Sequence, residues 1–440
     1  MNLVVTPGRP LRGSFTVPGD KSLSHRAALF AALAEGESCV ENFLVSGVTA
    51  AMLRSLTALG VTWELRDTTL RVEGRGLAGL RAPAEALDCG NSATTLRMMA
   101  GAVAAAGVPA VLDGSPGLRK RPMQRIAEPL GRMGVEIATA EGGGAPLSMA
   151  GRPPGRRLSA LEYTLPVASA QVKTCLLLAA LAAEGPSHLV EPALSRDHSE
   201  RMLRGMGVEV TNRPLPGGAY AVDLTPPAGP LRPLSGALPG DFSAAAFLIV
   251  AAAITPGSAV TLREVGLNPT RTGLLDALRE MGAQIEVTNL RETIGEPVGD
   301  LSIRYSRLHG TQVFGERVVR MIDEFPAFAA AAACAMGPSV VRDAQELRYK
   351  ESDRIAALCV ELRALGVAAE ETPDGFILPG GGVRGGQVDP HGDHRLAMSL
   401  AVAGLAAREP VRVIGAEIVR ESFPEFIDAL GSLGGQVRVE

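Results

Sequence analysis

Ten basic residues lie in or near short polar segments, most of which lead into a run of small apolar residues. They are Lys21, Arg26, Arg97, Arg119, Arg121, Lys173, Arg196, Lys350, Arg354 and Arg395. Guanidinium and ammonium groups bind phosphates and carboxylates through charge-assisted hydrogen bonds. Because the whole chain carries a formal net charge of −4 at pH 7, this local positive charge predicts a small ligand with several negative charges. Any one of these residues could instead be a solvated surface charge, and their recurrence is what favours a binding site.

Carboxylates are fewer in the same segments. Asp323 opens an apolar run, Glu351 follows Lys350, and Asp393 precedes Arg395 by two positions. A carboxylate among cations stays ionised and can accept a proton from a substrate hydroxyl. The position of Asp323 equally suits a helix N-cap, so the residues alone leave both roles open.

The polar segments recur at intervals of roughly 70 to 80 residues, which indicates a repeated structural unit. They begin at Gly19, Gly90, Ala168, Gly240, Asp323 and Gly392. Each predicts the start of a buried helix, whose first N–H groups lack intrahelical partners and therefore favour anions. A second helical segment follows in every unit and ends in glycine, where a left-handed C-cap is favoured, before an alternating strand. These second segments begin at Met52, Arg125, Arg201, Leu274, Ile355 and Phe426.

Six β-α-β-α-β-β units are the simplest arrangement and predict an α/β fold. The string PGDKS at residues 18–22 returns as PGDFS at residues 239–243, which groups the units three plus three. Two domains are therefore expected, one of residues 21–240 and one of residues 1–20 with 241–440. In the last unit, Ser422-Phe-Pro-Glu425 predicts a capping box at the start of a helix.

Composition narrows the class of protein. The chain is 46% hydrophobic but has only 16 aromatic residues among 440, so small side chains must fill its interior. Balanced charge argues against a disordered chain or a nucleic-acid binder, and the apolar runs are shorter than the roughly 18 to 20 residues of a membrane span. No secretory signal is evident, so a cytoplasmic location is expected. The five cysteines form no CxxC pair and are expected to be buried thiols.

Two short motifs are rejected as sites. Gly74–Gly79 matches GxGxxG, but Pro83 and a strand-like stretch follow where a dinucleotide-binding helix should begin. His391 and His394 are spaced like metal ligands, but no third ligand accompanies them. No metal and no cofactor are expected.

Ten segments between residues 19 and 405 resemble, in order, the 5-enolpyruvylshikimate-3-phosphate synthase family of enolpyruvyl transferases. They are GDKSLSHR, GNSATTLRMMAG, KRPM, SAQVKT, SRDHSERML, PGDFSAAAF, NPTRTG, IDEFPA, LRYKESDRI and GDHRLAMSLAVAGL. SAQVK, RDHSE and NPTR are similar to the family's second, glyphosate-tolerant class. The resemblance implies a two-domain inside-out α/β barrel with the active site in the cleft between the domains and the N-terminal strand in the second domain.

The reaction implied by the resemblance transfers the enolpyruvyl group of phosphoenolpyruvate to the 5-hydroxyl of shikimate 3-phosphate and releases phosphate, on the route to chorismate and the aromatic amino acids. The residues expected to contact these substrates are Lys21, Ser22, Arg26, Ala93, Arg121, Ser169, Gln171, Ser195, Arg196, Asp323, Lys350, Arg354 and Arg395. Lys21 is expected to reach both substrates. Shikimate 3-phosphate is assigned to Ser169, Gln171, Ser195, Arg196 and Lys350, and phosphoenolpyruvate to Arg121, Arg354 and Arg395. The catalytic residues are expected to be Lys21, Asp323 as acceptor of the hydroxyl proton, and Glu351 as a proton-transfer acid.

Two positions depart from the family pattern. Ala93 stands where many members have glycine, and its methyl group should narrow the space used by glyphosate, which predicts weak inhibition. Glu421 stands where many members have a lysine that contacts phosphoenolpyruvate, and Arg420 is not expected to replace it.

Two other functions fit parts of the sequence less well. The sister enolpyruvyl transferase that acts on a UDP-amino sugar carries a cysteine on a loop that corresponds here to Asp113–Met123, which has none. A non-catalytic module that binds a phosphorylated metabolite would not need Lys21, Asp323 and Glu351 together. We expect a monomer whose partners are the two small substrates rather than nucleic acid or a membrane.

Overall fold

The computed structural model describes residues 1–440, and its chain folds into 14 α-helices and 24 strands. The helices are α1 (Lys21–Leu33), α2 (Gly47–Ala58), α3 (Ala93–Ala106), α4 (Pro116–Arg119), α5 (Gln124–Arg132), α6 (Ala170–Ala180), α7 (His198–Gly205), α8 (Phe242–Ile254), α9 (Gly273–Glu280), α10 (Glu316–Arg320), α11 (Phe325–Cys334), α12 (Arg354–Ala364), α13 (His394–Leu405) and α14 (Phe426–Ser432). Short 3-10 helices span Leu77–Gly79, Pro216–Gly218, Gln345–Tyr349 and Ala416–Glu421.

The strands are β1 (Leu3–Thr6), β2 (Arg12–Thr16), β3 (Glu35–Glu41), β4 (Thr62–Arg66), β5 (Thr69–Arg75), β6 (Leu87–Asp88), β7 (Ala110–Asp113), β8 (Ile137–Ala138), β9 (Leu147–Met149), β10 (Glu162–Thr164), β11 (Ser187–Glu191), β12 (Glu209–Pro214), β13 (Tyr220–Thr225), β14 (Ser235–Ala237), β15 (Ala259–Gly266), β16 (Gln284–Thr293), β17 (Glu296–Arg304), β18 (Gln312–Val313), β19 (Ser339–Val341), β20 (Glu370–Thr372), β21 (Gly375–Leu378), β22 (Gly386–Val388), β23 (Val411–Val413) and β24 (Gln436–Val439). They form six four-stranded sheets, so the predicted sixfold repeat is confirmed.

The chain divides into two compact units. The N-terminal unit comprises Gly19–Leu238 and Thr293–Glu296, and the C-terminal unit comprises Met1–Pro18, Pro239–Glu292 and Pro297–Glu440. The boundaries expected from the sequence lie within two residues of these limits, and the short segment Thr293–Glu296 was not anticipated.

Each sheet has one parallel pair at one edge, and antiparallel pairing joins its other strands. In the N-terminal unit the strand orders are β14-β3-β5-β4, β6-β7-β9-β8 and β10-β11-β13-β12. In the C-terminal unit they are β2-β15-β17-β16, β18-β19-β21-β20 and β22-β23-β1-β24. Strand β1 pairs antiparallel with both β23 and β24, so a strand from the start of the chain completes the last sheet.

The six second helices end as the sequence predicts. A glycine follows each C-cap residue with φ between +83° and +96°, a conformation that glycine adopts without a steric penalty. These glycines are Gly60, Gly134, Gly207, Gly282, Gly366 and Gly434. The capping box predicted at Ser422 is wrong. Ser422 is instead the C-cap of a 3-10 helix, because its N–H donates to Val419 O at 3.3 Å. Helix α14 begins four residues later, at Phe426, with Glu425 as its N-cap.

Small residues allow the central helices of each unit to pack closely. In the N-terminal unit, α3 crosses α6 at Gly101, where an added Cβ would lie 2.2 Å from the carbonyl oxygen of Cys175. In the C-terminal unit, α8, α11 and α13 pack together, and every residue of α8 is buried. Cys89, Cys175 and Cys359 are buried, whereas Cys39 and Cys334 are partly buried. None of the helices combines the length and apolar character that crossing a bilayer requires.

Candidate active site

Three buried helices of the N-terminal unit begin with capped N-termini. The N-cap residues of α1, α3 and α6 are Asp20, Ser92 and Ser169, and each side chain accepts a hydrogen bond from a backbone N–H in the first turn. Lys21 and Ser22 are the first two residues of α1, so both lie in the turn that carries the partial positive charge of the helix.

His25 joins the first turn of α1 to the start of α3. Its Nδ1 lies 2.7 Å from Lys21 O and its Nε2 lies 3.3 Å from Ser92 Oγ. Because a carbonyl oxygen only accepts, Nδ1 carries the proton and Nε2 accepts from Ser92. Burial lowers the pKa of His25 to about 4, which keeps the ring neutral near pH 7. The turn of Lys21 is thereby fixed against Ala93, the first residue of α3.

Arg26 connects three helices rather than facing solvent. It is 2% exposed, and its Nε, Nη2 and Nη1 donate to Ser199 Oγ at 2.8 Å, Thr174 Oγ1 at 2.9 Å and Ser22 O at 3.0 Å. Burial lowers the pKa of Arg26 to about 10. The structure therefore gives Arg26 a positioning role, and its contact with substrate stays a prediction.

Gln171 is also held by neighbouring side chains. Its Oε1 accepts from Arg97 Nη1 at 2.7 Å, and its Nε2 donates to Thr94 Oγ1 at 2.9 Å. Arg97 donates a second hydrogen bond, of 3.0 Å, to Pro122 O. Arg97 thus links α3 and α6 to the segment that carries the half-buried Arg121.

Ser195 and Arg196 lie in the connection between β11 and α7. The Ser195 hydroxyl donates to Glu191 Oε2 at 2.6 Å, while Arg196 is half-buried. The residues of this unit that are expected to contact substrate therefore lie in the first turns of helices or in segments hydrogen-bonded to those helices.

Asp323 is the centre of a cationic cluster in the C-terminal unit. Its carboxylate lies 3.4 Å from Lys350 Nζ, 3.6 Å from Arg354 Nη1 and 3.8 Å from Arg395 Nη2, and its backbone oxygen accepts from Arg395 Nη1 at 2.7 Å. The alternative N-cap role is wrong, because α11 begins at Phe325 with a different N-cap residue. Three cations within 4 Å favour the ionised carboxylate, which is the form that accepts a proton.

Glu351 completes this cluster through Arg354. Arg354 Nη2 donates to Glu351 Oε2 at 2.7 Å, and Arg354 Nε donates to Asp393 Oδ2 at 2.7 Å. Burial acts to lower the pKa of Arg354, but the carboxylates of Asp393 and Glu351 outweigh it and raise the pKa above its ordinary value. Nη1 of this buried guanidinium makes no hydrogen bond and lies 3.6 Å from the carboxylate of Asp323.

A second buried network was missed by sequence reasoning. Arg271, which is 2% exposed, donates to Asp241 Oδ1 at 3.1 Å and to Ser243 Oγ at 2.8 Å, and Ser243 donates to Glu324. Asp241 and Glu324 are the N-caps of α8 and α11, and Glu324 Oε1 lies 4.0 Å from Arg395 Nη1. The motif that contains Arg271 was recognised, but nothing in its spacing indicated that its side chain is buried between two helix starts.

Two further features lie apart from the predicted residues. A surface cavity of about 560 Å³ in the C-terminal unit is lined by residues such as Glu280, Phe314 and Arg317. None of the predicted site residues lines this cavity. In the N-terminal unit, ligand atoms of Asp197, His198 and Glu296 lie within 4.8 Å of one another.

The geometry of this second group favours ion pairs and hydrogen bonds over metal ligation. His198 Nδ1 lies 2.8 Å from Glu296 Oε1, and Asp197 pairs with Arg201 at 2.9 Å. The two histidines weighed as metal ligands from the sequence belong to other surroundings, since His391 bonds to Glu361 and His394 begins α13.

Known proteins were compared with the whole chain. Residues 5–430 match the model of the family EPSP synthase (3-phosphoshikimate 1-carboxyvinyltransferase). A 3-phosphoshikimate 1-carboxyvinyltransferase of Synechococcus sp. (strain RCC307) is 48% identical over 437 residues, which cover 98% of this chain and 99% of that protein. The enzyme of the same name from Roseiflexus sp. (strain RS-1) is 51% identical over 428 residues, or 96% of each chain.

A solved structure is similar over its full length. The EPSP synthase of Acinetobacter baumannii superposes with a TM-score of 0.88 at 42% identity, covering 100% of this chain and 99% of that one. These values confirm the resemblance read from the ten motifs. The chain belongs to the EPSP synthase family.

Proposed function

We propose that this chain moves the enolpyruvyl group of phosphoenolpyruvate onto the 5-hydroxyl of shikimate 3-phosphate and releases phosphate, with Asp323 and Glu351 as the proton carriers. Family membership supports the reaction. The observation that carries the residue assignment is the cluster in which Asp323 is surrounded by three cations while Glu351 shares Arg354.

The reaction proceeds by addition and then elimination. The 5-hydroxyl oxygen attacks the carbon that bears the phosphate, Asp323 accepts the hydroxyl proton, and Glu351 delivers a proton to the methylene carbon. A tetrahedral ketal phosphate results. Loss of phosphate with return of one methyl proton then restores the double bond on the new product.

The environment of Glu351 stabilises the form that it takes after it has given up a proton. Its carboxyl group is hydrogen-bonded to Arg354, which stabilises the carboxylate left after the proton has been delivered. Both carboxyl groups are partly accessible, with side-chain exposures of 19% for Asp323 and 22% for Glu351, so a substrate can reach them.

The two substrates are anions, and the expected contacts are cations or helix starts. We assign phosphoenolpyruvate to Arg121, Arg354 and Arg395, whose planar guanidinium groups match phosphate and carboxylate geometry. We assign shikimate 3-phosphate to Ser169, Gln171, Ser195, Arg196 and Lys350, and both substrates to Lys21. In this proposal the residues of the two units serve one reaction.

A cytoplasmic monomer is part of the proposal. The exposed large apolar residues are separated along the chain, as Val45, Val111, Leu290 and Phe314 illustrate, and scattered residues of this kind are normal on a protein without a permanent partner. Light scattering of the purified protein would measure the assembly state, and cell fractionation would measure the location.

The deciding experiment measures phosphate release with each substrate alone and with both together. We expect release only when shikimate 3-phosphate and phosphoenolpyruvate are both present. Replacing shikimate 3-phosphate by a UDP-amino sugar should give no phosphate, which separates the sister transferase. Binding of the substrates without any phosphate release would instead identify a non-catalytic module.

The role of Glu351 has its own test. Glu351→Gln keeps the hydrogen bond to Arg354 but cannot deliver a proton, so turnover should fall about 100-fold while both KM values change little. Turnover near the wild-type rate in this variant would remove Glu351 from the mechanism.

A further inference from the structure

Lys173 is a buried cation that the proposed reaction does not use. It lies on α6, one turn after the N-cap Ser169, and its side chain is 1% exposed. Its ammonium group lies 2.8 Å from Glu191 Oε1 and 2.7 Å from Glu200 Oε1, and these two side chains are equally buried. Burial acts to lower the pKa of Lys173, but Glu200 and Glu191 raise it above its ordinary value, so the lysine stays charged.

This ion cluster holds the connection that carries Arg196. Lys173 Nζ donates to the backbone oxygen of Ser195 at 3.3 Å, and the Ser195 hydroxyl donates to Glu191 Oε2 at 2.6 Å. Ser195 is thus fixed through both its backbone and its side chain. Arg196 is the next residue, so the cluster fixes the backbone position from which the side chain of Arg196 extends.

The same contacts limit what Ser195 can do for a ligand. A serine hydroxyl has one hydrogen to donate, and in this structure Glu191 accepts it. A phosphate dianion offers only acceptors. In this structure the hydroxyl hydrogen is therefore committed to Glu191, and the contact of Ser195 with the phosphate stays a prediction.

The cluster also balances charge inside the unit. Lys173 alone cannot neutralise both Glu191 and Glu200, and the remaining negative charge lies near the buried Arg26, whose pKa the carboxylate of Glu200 helps to support against burial. Opposite charges therefore alternate from Arg26 through Glu200 and Lys173 to Glu191. Alternation of this kind keeps the buried charges paired and the connection ordered.

We propose that Glu191 and Lys173 are positioning residues that hold Ser195 so that Arg196 meets the phosphate of shikimate 3-phosphate. This inference rests on the proposed function. It assigns to a buried ion cluster the control of affinity for one of the two substrates.

The test is a double-mutant cycle on Glu191→Gln and Ser195→Ala. Lys173 and Ser195 bond to different oxygens of Glu191, and glutamine has an NH2 group in place of one of them, so in the same pose it cannot accept from both donors. Each single variant should raise KM for shikimate 3-phosphate about tenfold, on the order of one lost hydrogen bond to a charged group. The double variant should also raise it about tenfold rather than about 100-fold, while KM for phosphoenolpyruvate changes less than twofold. Ser195→Ala leaves the Lys173 ion pairs intact, so it gives an answer even if Glu191→Gln folds poorly.

The matched control is Glu361→Gln in the C-terminal unit. Glu361 is 6% exposed, and its two oxygens bond to the N–H of Asp389 and to His391. This variant should lower the melting temperature without moving either KM. Any of three results would overturn the proposal. KM for shikimate 3-phosphate could stay unchanged in the two single variants, or KM could rise equally for both substrates. The effects of the two single variants could also be independent and multiply to about 100-fold.

Binding measured by calorimetry separates this inference from the proposed function. If the wild type binds shikimate 3-phosphate but releases no phosphate, the proposed function fails and the cycle is run on Kd with the same expectations. If the wild type does not bind shikimate 3-phosphate, both fail.

Discussion

The helix starts of the two units belong to the same repeat but differ in the charge of their N-cap residues and in the partners of their buried arginines. In the N-terminal unit, two of the three central helices have serine N-caps, and Arg26 donates to uncharged oxygens. In the C-terminal unit all three N-caps are acidic, and each acidic cap lies within 4 Å of a buried arginine. These pairs involve Asp241 and Glu324 with Arg271, and Asp393 with Arg354.

Counting charges sharpens the difference. The surface pairs Arg119–Asp113 and Asp197–Arg201 of the N-terminal unit and Arg348–Asp353 of the C-terminal unit are left out of this count. The N-terminal openings then hold six cations against three carboxylates: Lys21, Arg26, Arg97, Arg121, Lys173 and Arg196, with Asp20, Glu191 and Glu200. The C-terminal openings hold four cations against five carboxylates: Arg271, Lys350, Arg354 and Arg395, with Asp241, Asp323, Glu324, Glu351 and Asp393. In the proposed reaction the N-terminal set binds anions, and the C-terminal set both binds anions and transfers protons through carboxylates held in ion pairs.

Removing the central carboxylate of the C-terminal set should have the largest effect. Asp323→Asn keeps the size of the side chain but cannot accept the hydroxyl proton, so kcat should fall about 1,000-fold. Steady-state phosphate release measures this. Asp276→Asn, which removes a partner of Arg320 at the surface, is the control and should keep the wild-type rate. A loss below tenfold in Asp323→Asn would contradict the division of roles between the units.

The next largest effect concerns the buried arginines. Arg354→Met leaves Asp393 and Glu351 without their buried cation, so the free energy of unfolding should fall by about 3 to 5 kcal/mol. Arg26→Met removes three hydrogen bonds to neutral oxygens while Glu200 keeps Lys173 as a paired cation, so the loss should be about 1 to 3 kcal/mol. Denaturant unfolding of both variants compares the two units directly, and equal losses would show that ion pairing is not what distinguishes them.

A pH effect is expected in the N-terminal unit. The pKa of His25 is lowered to about 4 by burial, whereas the unfolded chain titrates near 6.5, so the unfolded state binds more protons between these values. Stability contributed by neutral His25 is therefore present above pH 6.5 and is lost as the pH falls toward 4, by up to about 3 kcal/mol. Unfolding free energies at pH 4.5 and 7 measure the slope. His25→Gln should flatten it, while His309→Gln at an exposed position should not.

The smallest expected effect is at the first residue of α3. Ala93 is 3% exposed, and replacing it by glycine removes a methyl group beside the expected phosphoenolpyruvate contacts. Inhibition by glyphosate should become about tenfold tighter in Ala93→Gly, with little change in KM for phosphoenolpyruvate. Inhibition constants of the two proteins test this, and equal constants would show that the methyl group does not limit access.

The repeat could be predicted because it depends on local patterns. Apolar periodicity and a glycine after each second helix are properties of neighbouring residues, so all six left-handed glycines were found from the sequence. Predictions from local patterns failed where one position fitted two structural roles. Ser422 and Asp323 both resemble N-caps, but backbone turns formed by their neighbours assign the caps to Glu425 and Glu324.

The cluster around Asp323 was foreseen only in part. Motif recurrence and family resemblance named Lys350, Arg354 and Arg395, and the structure brings all three to Asp323. Sequence reasoning did not find Arg271 or the pairing of Lys173 with two glutamates. Which buried charges face one another depends on the packing of helices far apart in the chain, and spacing along one helix carries no signal of it.

The pairing of β1 sets an order for folding. Val4 lies opposite Arg412 and Arg438, more than 400 positions along the chain, so the last sheet cannot close until its final strands have been synthesised. Nearly all of the N-terminal unit, by contrast, is a single continuous stretch from Gly19 to Leu238. During translation this stretch can acquire its structure on the ribosome while β1 remains without its sheet partners.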